Sequence, residues 1–233
     1  MKYFKLNLQV NNLNNRIVSS VDGEKIPNVD FFFNKLRDGD FIINPPVFDY
    51  FYLKSFDEKS FWDFKLNDVH SFINQGSQIK GLFISEKLKK IFEKHILANP
   101  YQFYLSKLLY KFDSYDYYIF QFAGNMTFEN FLLNINFKKS IFYNPKSEED
   151  VFVINNKEFI DNYKRIYKEN DSLELILKNR KLVLNEAFDF FPMATFMKDN
   201  IVSNKLKKAI EDNNIQGFEF SELDYNVVID QNI

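Results

Sequence analysis

The chain of 233 residues lacks cysteine altogether and contains only two histidines. The lack of cysteine excludes a disulfide framework and every metal site with thiolate ligands. Such a composition fits a reducing compartment, although an exported protein without disulfides would share it. A triad or metal centre based on histidine would have to use His70 or His95, which leaves little room for such chemistry.

Long apolar runs are also missing from the chain. Charged residues interrupt every apolar segment, so none approaches the roughly 20 apolar residues that a membrane-spanning helix needs. Residues 1–10 alternate between apolar and polar side chains, as a half-buried strand does, and they lack the apolar stretch of a signal peptide. We therefore expect a cytoplasmic protein with no membrane partner.

Neither sign of charge dominates, because 30 basic and 32 acidic residues give a formal charge of −2 and are mixed along the sequence. Long-range attraction to nucleic acid is therefore weak. The basic run of Lys87, Lys89 and Lys90 is more typical of the solvated face of a helix than of a phosphate-binding patch. We expect no nucleic-acid partner, and we keep a nucleic-acid or structural accessory protein as an alternative.

Recognisable catalytic motifs are absent, including the nucleophile elbow, the phosphate-binding loop and the zinc-binding H-E-x-x-H helix. The segment 76–81 has glycines at the wrong spacing for phosphate, so we predict a turn. We expect His95 to have a structural role near a helix end. The adjacent acids Asp57 and Glu58, and those at 148–150, are predicted to be solvated. We expect no enzymatic activity, no cofactor and no metal; the alternative is an enzyme whose site combines scattered carboxylates and tyrosine hydroxyls.

One phrase occurs twice, at residues 84–90 and 202–208: a β-branched residue, serine, any residue, then Lys-Leu-Lys-Lys. Each serine, Ser85 and Ser203, is a natural N-cap, since its hydroxyl can accept a hydrogen bond from the first helical turn. The apolar residues that follow fall on one helical stripe. They are Leu88, Ile91, Phe92 and Ile96 in the first copy, and Leu206, Ala209, Ile210 and Ile215 in the second. Each copy therefore predicts strand, cap and amphipathic helix, with the first helix over 85–97.

The coarse pattern predicts an α+β fold, with a mostly antiparallel sheet and two or three packed amphipathic helices. The 45% of hydrophobic residues suffices for a single domain over 1–233, with a possible weak boundary near 75–80. The other predicted elements are a hairpin of strands at 3–10 and 17–21, loops and short strands over 27–57, an antiparallel pair at 102–109 and 116–122, strands at 140–143 and 151–154, a helix at 157–168, a hairpin of strands at 173–177 and 181–184 with its turn at 178–180, and a strand at 218–220.

Three stretches give the chain a recognisable order: the strand around Tyr3, the Tyr-Tyr-Ile core at 117–119, and the Gly-Phe-x-Phe strand at 217–220 that follows the second repeat. Together with the two Ser-x-Lys-Leu helices, this order resembles the immunity proteins of bacterial polymorphic-toxin systems, a family first catalogued as a domain of unknown function. The resemblance covers most of residues 80–222, whereas residues 10–75 depart from it. It implies a non-enzymatic protein that binds and neutralises a cognate toxin encoded nearby.

An inhibitor of this kind needs an interface of about 1,200–2,000 Å² with a few buried aromatic anchors. Trp62 is the chain's single tryptophan, and it lies among Asp57, Glu58 and Asp63. An aromatic side chain with an acidic rim is a plausible partner-binding site, so we predict these four residues as toxin contacts. A lone tryptophan is also a common core residue, and that alternative stays open.

Overall fold

The structure is a computed structural model that describes residues 1–9, 19–23, 26–55, 65–73, 79–122, 131–172, 175–193 and 199–230. Over this part of the chain it contains four helices and three mostly antiparallel sheets, which confirms the predicted α+β class. The helices are α1 (Val29–Asp38), α2 (Glu86–Phe92), α3 (Asn156–Asn170) and α4 (Asn204–Asp212). The strands are β1 (Tyr3–Leu8), β2 (Ser19–Asp22), β3 (Phe48–Ser55), β4 (Val69–His70), β5 (Phe72–Ile73), β6 (Leu82–Ser85), β7 (Tyr101–Tyr110), β8 (Asp113–Phe122), β9 (Ile141–Tyr143), β10 (Asp150–Val151), β11 (Lys178–Leu184), β12 (Phe190–Met193), β13 (Asp199–Ser203), β14 (Phe218–Glu222) and β15 (Asn226–Ile229).

The largest sheet has seven strands in the order β4-β6-β8-β7-β3-β2-β5. Two four-stranded sheets follow the orders β12-β13-β1-β14 and β10-β9-β11-β15. The parallel neighbours are β2 with β5, β3 with β7, and β11 with β15. Strands on both sides of the possible boundary near 75–80 belong to the seven-stranded sheet, since β5 ends at Ile73 and β6 begins at Leu82.

The predicted hairpin at the N-terminus is wrong, because its two strands belong to different sheets. β1 pairs with β13 and β14, whereas β2 pairs with β3 and β5. The Asn-rich turn expected at 11–15 lies outside the described residues. Pairing with distant strands, which no local pattern encodes, decides this topology.

Two further segments differ from the prediction. Residues 27–57 contain helix α1 as well as strand β3, and Gly39 ends the helix at φ 78° by donating its N–H to the Leu36 carbonyl. A left-handed glycine is a common helix stop, so this signal was available in the sequence. Residues 178–180, predicted as a turn, lie inside β11, where Arg180 forms an ion pair with Asp150.

Both repeated phrases form the predicted capped helices. The Ser85 hydroxyl accepts the Leu88 N–H at 3.2 Å, and the Ser203 hydroxyl accepts the Leu206 N–H at 3.1 Å. The predicted core residues Leu88, Ile91, Leu206 and Ile210 are all buried. The first helix is shorter than predicted, because it ends at Phe92, and Ile96 is therefore 57% exposed instead of lying on the buried stripe.

Replacement of Ser85 or Ser203 by alanine is expected to lower the free energy of unfolding by about 0.5–2 kcal/mol, since each change leaves a helix N–H without its acceptor. Ser203 is fully buried and should give the larger loss. Urea titration of the two variants measures this difference. Lys87→Ala, on the exposed side of α2, is the control and should stay close to the parent. Serine variants as stable as the parent would contradict the assigned caps.

The similarity between the two copies extends beyond the repeated phrase to the strands around it. The strands β4-β6-β8-β7 and the strands β12-β13-β1-β14 are neighbours in the same order, position by position. Ser85 lies opposite Tyr117, and Ser203 lies opposite Tyr3. We call these arrangements, with α2 and α4, the first and second units. In the second unit the counterpart of β8 is the N-terminal strand β1, so the two units differ by a circular permutation.

An aspartate in each unit links the two units together. Asp68 accepts the Ser85 hydroxyl at 2.7 Å and the Gln216 N–H at 3.0 Å, the latter from the segment after α4. Asp189 likewise accepts the Ser203 hydroxyl at 2.6 Å and the Ile96 N–H, from the segment after α2, at 3.1 Å. Each carboxylate therefore ties the start of its own helix to the end of the other.

A lysine on each of the helices α2 and α4 makes equivalent contacts with aromatic rings in the two units. The Lys89 ammonium lies 5.3 Å from the ring centre of Phe103 and 5.0 Å from that of Tyr118. Lys207 lies 5.3 Å from Phe220 and 5.3 Å from Phe4 in the second unit. Lys89 thus covers aromatic rings and is not simply part of a solvated face.

The two units share one apolar core, because their helices and sheets bury residues against each other. Phe120 at its centre contacts the rings of Phe92 and Phe190, which come from different units, at 5.2 Å and 5.7 Å. The buried members of this core are Leu6, Val69, Leu82, Ile84, Leu88, Ile91, Phe92, Leu97, Phe120, Phe190, Val202, Leu206 and Ile210. The two units therefore pack together as a single base.

Candidate functional site

The predicted toxin contacts Trp62, Asp57, Glu58 and Asp63 lie in the segment 56–64, outside the residues that the structure describes. Their role stays a prediction. Residues 76–78 of the segment 76–81, predicted as a turn, also lie outside.

The two histidines make structural contacts. His70 is 1% exposed, and its Nε2 accepts the Asn67 N–H at 3.2 Å. The Nδ1 of His95 donates to the Ile91 carbonyl at 2.7 Å, because a carbonyl can only accept. His95 thus satisfies a carbonyl near the end of α2, which is the structural role predicted for it.

Buried tyrosines stand beside both linking aspartates, and this is the arrangement that a tyrosine–carboxylate enzyme would need. Burial and the charge of Asp189 raise the pKa of Tyr3 to about 12. Burial and the charge of Asp68 raise the pKa of Tyr117 as well, and its hydroxyl donates to the Asn67 carbonyl at 2.6 Å. Both phenols are therefore protonated at neutral pH, and each carboxylate accepts a hydrogen bond from the hydroxyl of a capping serine.

Over the described ranges, no group of three or more His, Asp and Glu side chains is placed to hold a metal ion. Among the same residues, every helix is too short or too polar to cross a membrane.

The most distinctive surface feature is the hairpin of β7 and β8, whose strands are each 10 residues long. Pairing with β6 ends at Ser85 opposite Tyr117, and pairing with β3 ends at Tyr52 opposite Leu109. Residues 110–116 therefore lie beyond both of these ladders, although β3 itself runs on to Ser55, and residues 111–116 are all exposed. We call residues 105–116 the projecting hairpin.

The turn of the projecting hairpin carries backbone strain. Only Lys111 and Phe112 separate the paired residues Tyr110 and Asp113, and their φ angles are 50° and 76°. These values match a type I′ turn, which favours Asn-Gly because both central residues need positive φ. A lysine and a phenylalanine in this conformation cost about 1–2 kcal/mol each. Backbone strain of this kind is concentrated at functional sites.

Apolar side chains line the projecting hairpin up to its tip. Phe112 is fully exposed, and Leu105 and Leu109 are 37% and 41% exposed on one face. The ion pair of Lys107 with Asp116 lies between them. An exposed aromatic side chain with partly exposed apolar side chains on the same hairpin is typical of a protein interface, where aromatic residues are enriched.

The second unit provides an internal comparison for this surface. Glu222 and Lys2 occupy the positions that correspond to Leu105 and Asp116, and they form an exposed ion pair at 2.7 Å. The scaffold therefore does not require an apolar side chain at this position, and the leucine is specific to the first unit.

Sequence reasoning found the two strands of this hairpin and missed its tip. The predicted strands end at 109 and begin at 116, whereas the ladder runs to Tyr110 and Asp113. Lys-Phe is not a type I′ turn sequence, so no local signal marked a tight turn.

Comparison with known protein families and with curated proteins found no match to this chain.

Proposed function

We propose that this chain is a non-enzymatic immunity protein that binds and neutralises a cognate bacterial toxin encoded nearby. The observation that carries the proposal is Phe112, a fully exposed aromatic side chain held at φ 76° on the tip of the projecting hairpin. The fold gains no burial from this side chain and bears the strain of its backbone. Burial of a phenylalanine against a partner contributes about 1.5–3 kcal/mol, which offsets that strain in a complex.

The resemblance to polymorphic-toxin immunity proteins supports the same function. Its motifs, the two Ser-x-Lys-Leu helices and the Gly-Phe-x-Phe strand, belong to the paired units that form the base of the molecule. In this proposal the base is the shared scaffold, and the projecting hairpin provides the recognition specific to this chain. The proposed location is the cytoplasm, where a delivered toxin would be met.

The alternative of a tyrosine–carboxylate enzyme has less support. Both oxygens of Asp68 and of Asp189 already accept a hydrogen bond, one from a serine hydroxyl and the other from a backbone N–H group. The raised pKa values of Tyr3 and Tyr117 disfavour the phenolate that a base or nucleophile would require.

The proposal is tested with the product of the adjacent toxin gene. We expect the purified chain to form a stable complex with it, and expression of the chain to rescue cells from that toxin alone. Phe112→Ala should weaken the complex by about 30-fold or more in calorimetric titration, as loss of a hot-spot side chain does. Phe152→Ala removes another exposed phenylalanine, 83% exposed and outside the hairpin, and should leave the affinity unchanged.

Trp62→Ala serves as the competing variant, because it tests the toxin contacts predicted from the sequence. A loss of affinity in Trp62→Ala but not in Phe112→Ala would move the interface to residues 57–63. If the parent chain binds no neighbouring gene product at micromolar concentration and protects no cell, the immunity function is wrong.

A further inference from the structure

The projecting hairpin has a free edge as well as an exposed tip. β8 pairs with β7 along its whole length, but its pairing with β6 covers only the residues from Tyr117 to Phe120. The segment Asp113–Asp116 therefore has a strand on one side, and within the described structure no strand on the other. All of its residues are exposed.

The pairing register identifies which backbone groups point outward. In a tight two-residue hairpin the residues that flank the turn, here Tyr110 and Asp113, exchange hydrogen bonds with each other. The ladder then alternates, so Tyr115 also bonds to β7, while the N–H and C=O of Ser114 and Asp116 face the free edge. A row of such groups is a template for an added strand.

Charge on this edge selects the kind of strand that can be added. Two copies paired antiparallel through the outward groups of Ser114 and Asp116 would place Asp113 opposite Tyr115 or Tyr117, so a second copy offers the Asp113 carboxylate no cation. Asp116 has Lys107 as a partner, whereas the exposed Asp113 has no ion pair in the described part of the chain. The edge therefore disfavours a second copy of this chain and favours a strand with lysine or arginine opposite Asp113.

We propose that the partner binds by adding a basic extended strand to the edge Asp113–Asp116, while Phe112 enters an apolar pocket beside that strand. The identification of this partner as the toxin rests on the proposed function. Main-chain hydrogen bonds to Ser114 and Asp116 supply affinity, and the charge at Asp113 and the ring of Phe112 supply selectivity.

Hydrogen–deuterium exchange of the free chain and of its toxin complex tests the edge directly. The amides of Ser114 and Asp116 are expected to exchange at least about tenfold more slowly in the complex, because each gains an acceptor. Ser114→Pro removes one outward N–H without breaking the bonds to β7, and should weaken binding about tenfold. Ser114→Ala keeps that N–H and should bind within about twofold of the parent.

A second probe keeps the inference testable if no neighbouring gene product binds. An eight-residue peptide of alternating lysine and valine should protect the same two amides at millimolar concentration, whereas a glutamate–valine peptide should not. Protection by the lysine peptide without any toxin binding would contradict the proposed function and support strand addition at this edge. A toxin complex in which these amides stay unprotected would contradict strand addition and support the proposed function. If neither ligand protects these amides, strand addition at this edge is wrong. It is also wrong if two copies of the chain form a dimer paired through them.

Discussion

Replacement of Lys111-Phe112 by Asn-Gly is expected to stabilise the free chain and to weaken its complex with the toxin. The turn holds both residues at positive φ, where Asn-Gly is the favoured pair for a type I′ hairpin. Relief of that strain should raise the free energy of unfolding by about 1–2 kcal/mol. Loss of the Phe112 ring should cost about 2 kcal/mol or more of binding, which is about 30-fold in Kd. Opposite signs for stability and affinity are the mark of a residue retained for recognition.

Two measurements decide this prediction: urea titration of the free chain and calorimetric titration with the toxin. Lys111→Asn alone is the matched control, since it relaxes one residue of the turn and leaves Phe112 in place. It should gain part of the stability and keep the affinity. A double variant that is less stable than the parent would show that the turn is not of this type. A double variant that binds as well as the parent would remove the hairpin tip from the interface.

Asp189→Ala is expected to destabilise the fold by about 2–4 kcal/mol, the largest loss we predict for a polar residue. Asp189 is buried and accepts hydrogen bonds from the Ser203 hydroxyl, the Ile96 N–H and the Lys205 ammonium, the last at 3.2 Å. Truncation leaves buried donors unpaired, which costs more than the net value of each bond. The same change also removes the hydrogen-bonded link between the segment after α2 and the start of α4.

Asp68→Ala is the matched variant in the first unit. Asp68 makes the corresponding bonds to Ser85 and Gln216 but is only partly buried, so water can replace them. We expect a loss of about 1–2 kcal/mol, smaller than that of Asp189→Ala. Denaturant titration of both single variants and the double variant gives the coupling between the units. Equal losses at the two sites, or none at either, would contradict the linking role of these carboxylates.

A fall in pH should remove the contribution of Asp189 to the stability of the fold. Burial raises the pKa of Asp189, but the hydrogen bonds from Ser203, Ile96 and Lys205 outweigh that effect and hold the pKa below its usual value. A lowered folded-state pKa stabilises the fold above the unfolded-state pKa of about 3.9, and this stabilisation is lost as the pH falls through the lower folded-state pKa. The stability difference between the parent and Asp189→Asn should therefore be constant from pH 7 to about 5 and shrink below about 4. A difference that grows in acid would contradict this assignment.

Local chemistry in the sequence was enough to locate the capped helices. Ser85 and Ser203 precede stripes of apolar residues, and a cap depends only on contacts within one helical turn. The strands at 102–109 and 116–122 were likewise predictable from alternation. Helix α1 was missed because its run Phe31-Phe32-Phe33 resembles a strand, although Gly39 marked its end.

Pairing between distant segments could not be read from the sequence. β1 pairs with β13 and β14, which lie near the other end of the sequence. Lys178-Asn179-Arg180 resembles a turn in the sequence, but it forms a strand because it pairs with β9 and because Arg180 forms an ion pair with Asp150. The predicted contacts around Trp62 came from residues that are close in the sequence, and closeness in sequence does not show what a side chain contacts in the fold. The free edge of β8 exists only because β6 ends at Ser85.

The sequence by itself determined the α+β class, the two capped helices and the apolar residues that they bury, because each depends on spacing within a few residues. Only the tertiary structure decided that the two phrases belong to equivalent units joined through Asp68 and Asp189, and that one hairpin projects beyond them. Those features depend on which distant backbone groups find partners and which remain unpaired. That outcome is set by the packing of the whole chain, since a strand edge is free only where no other segment reaches it.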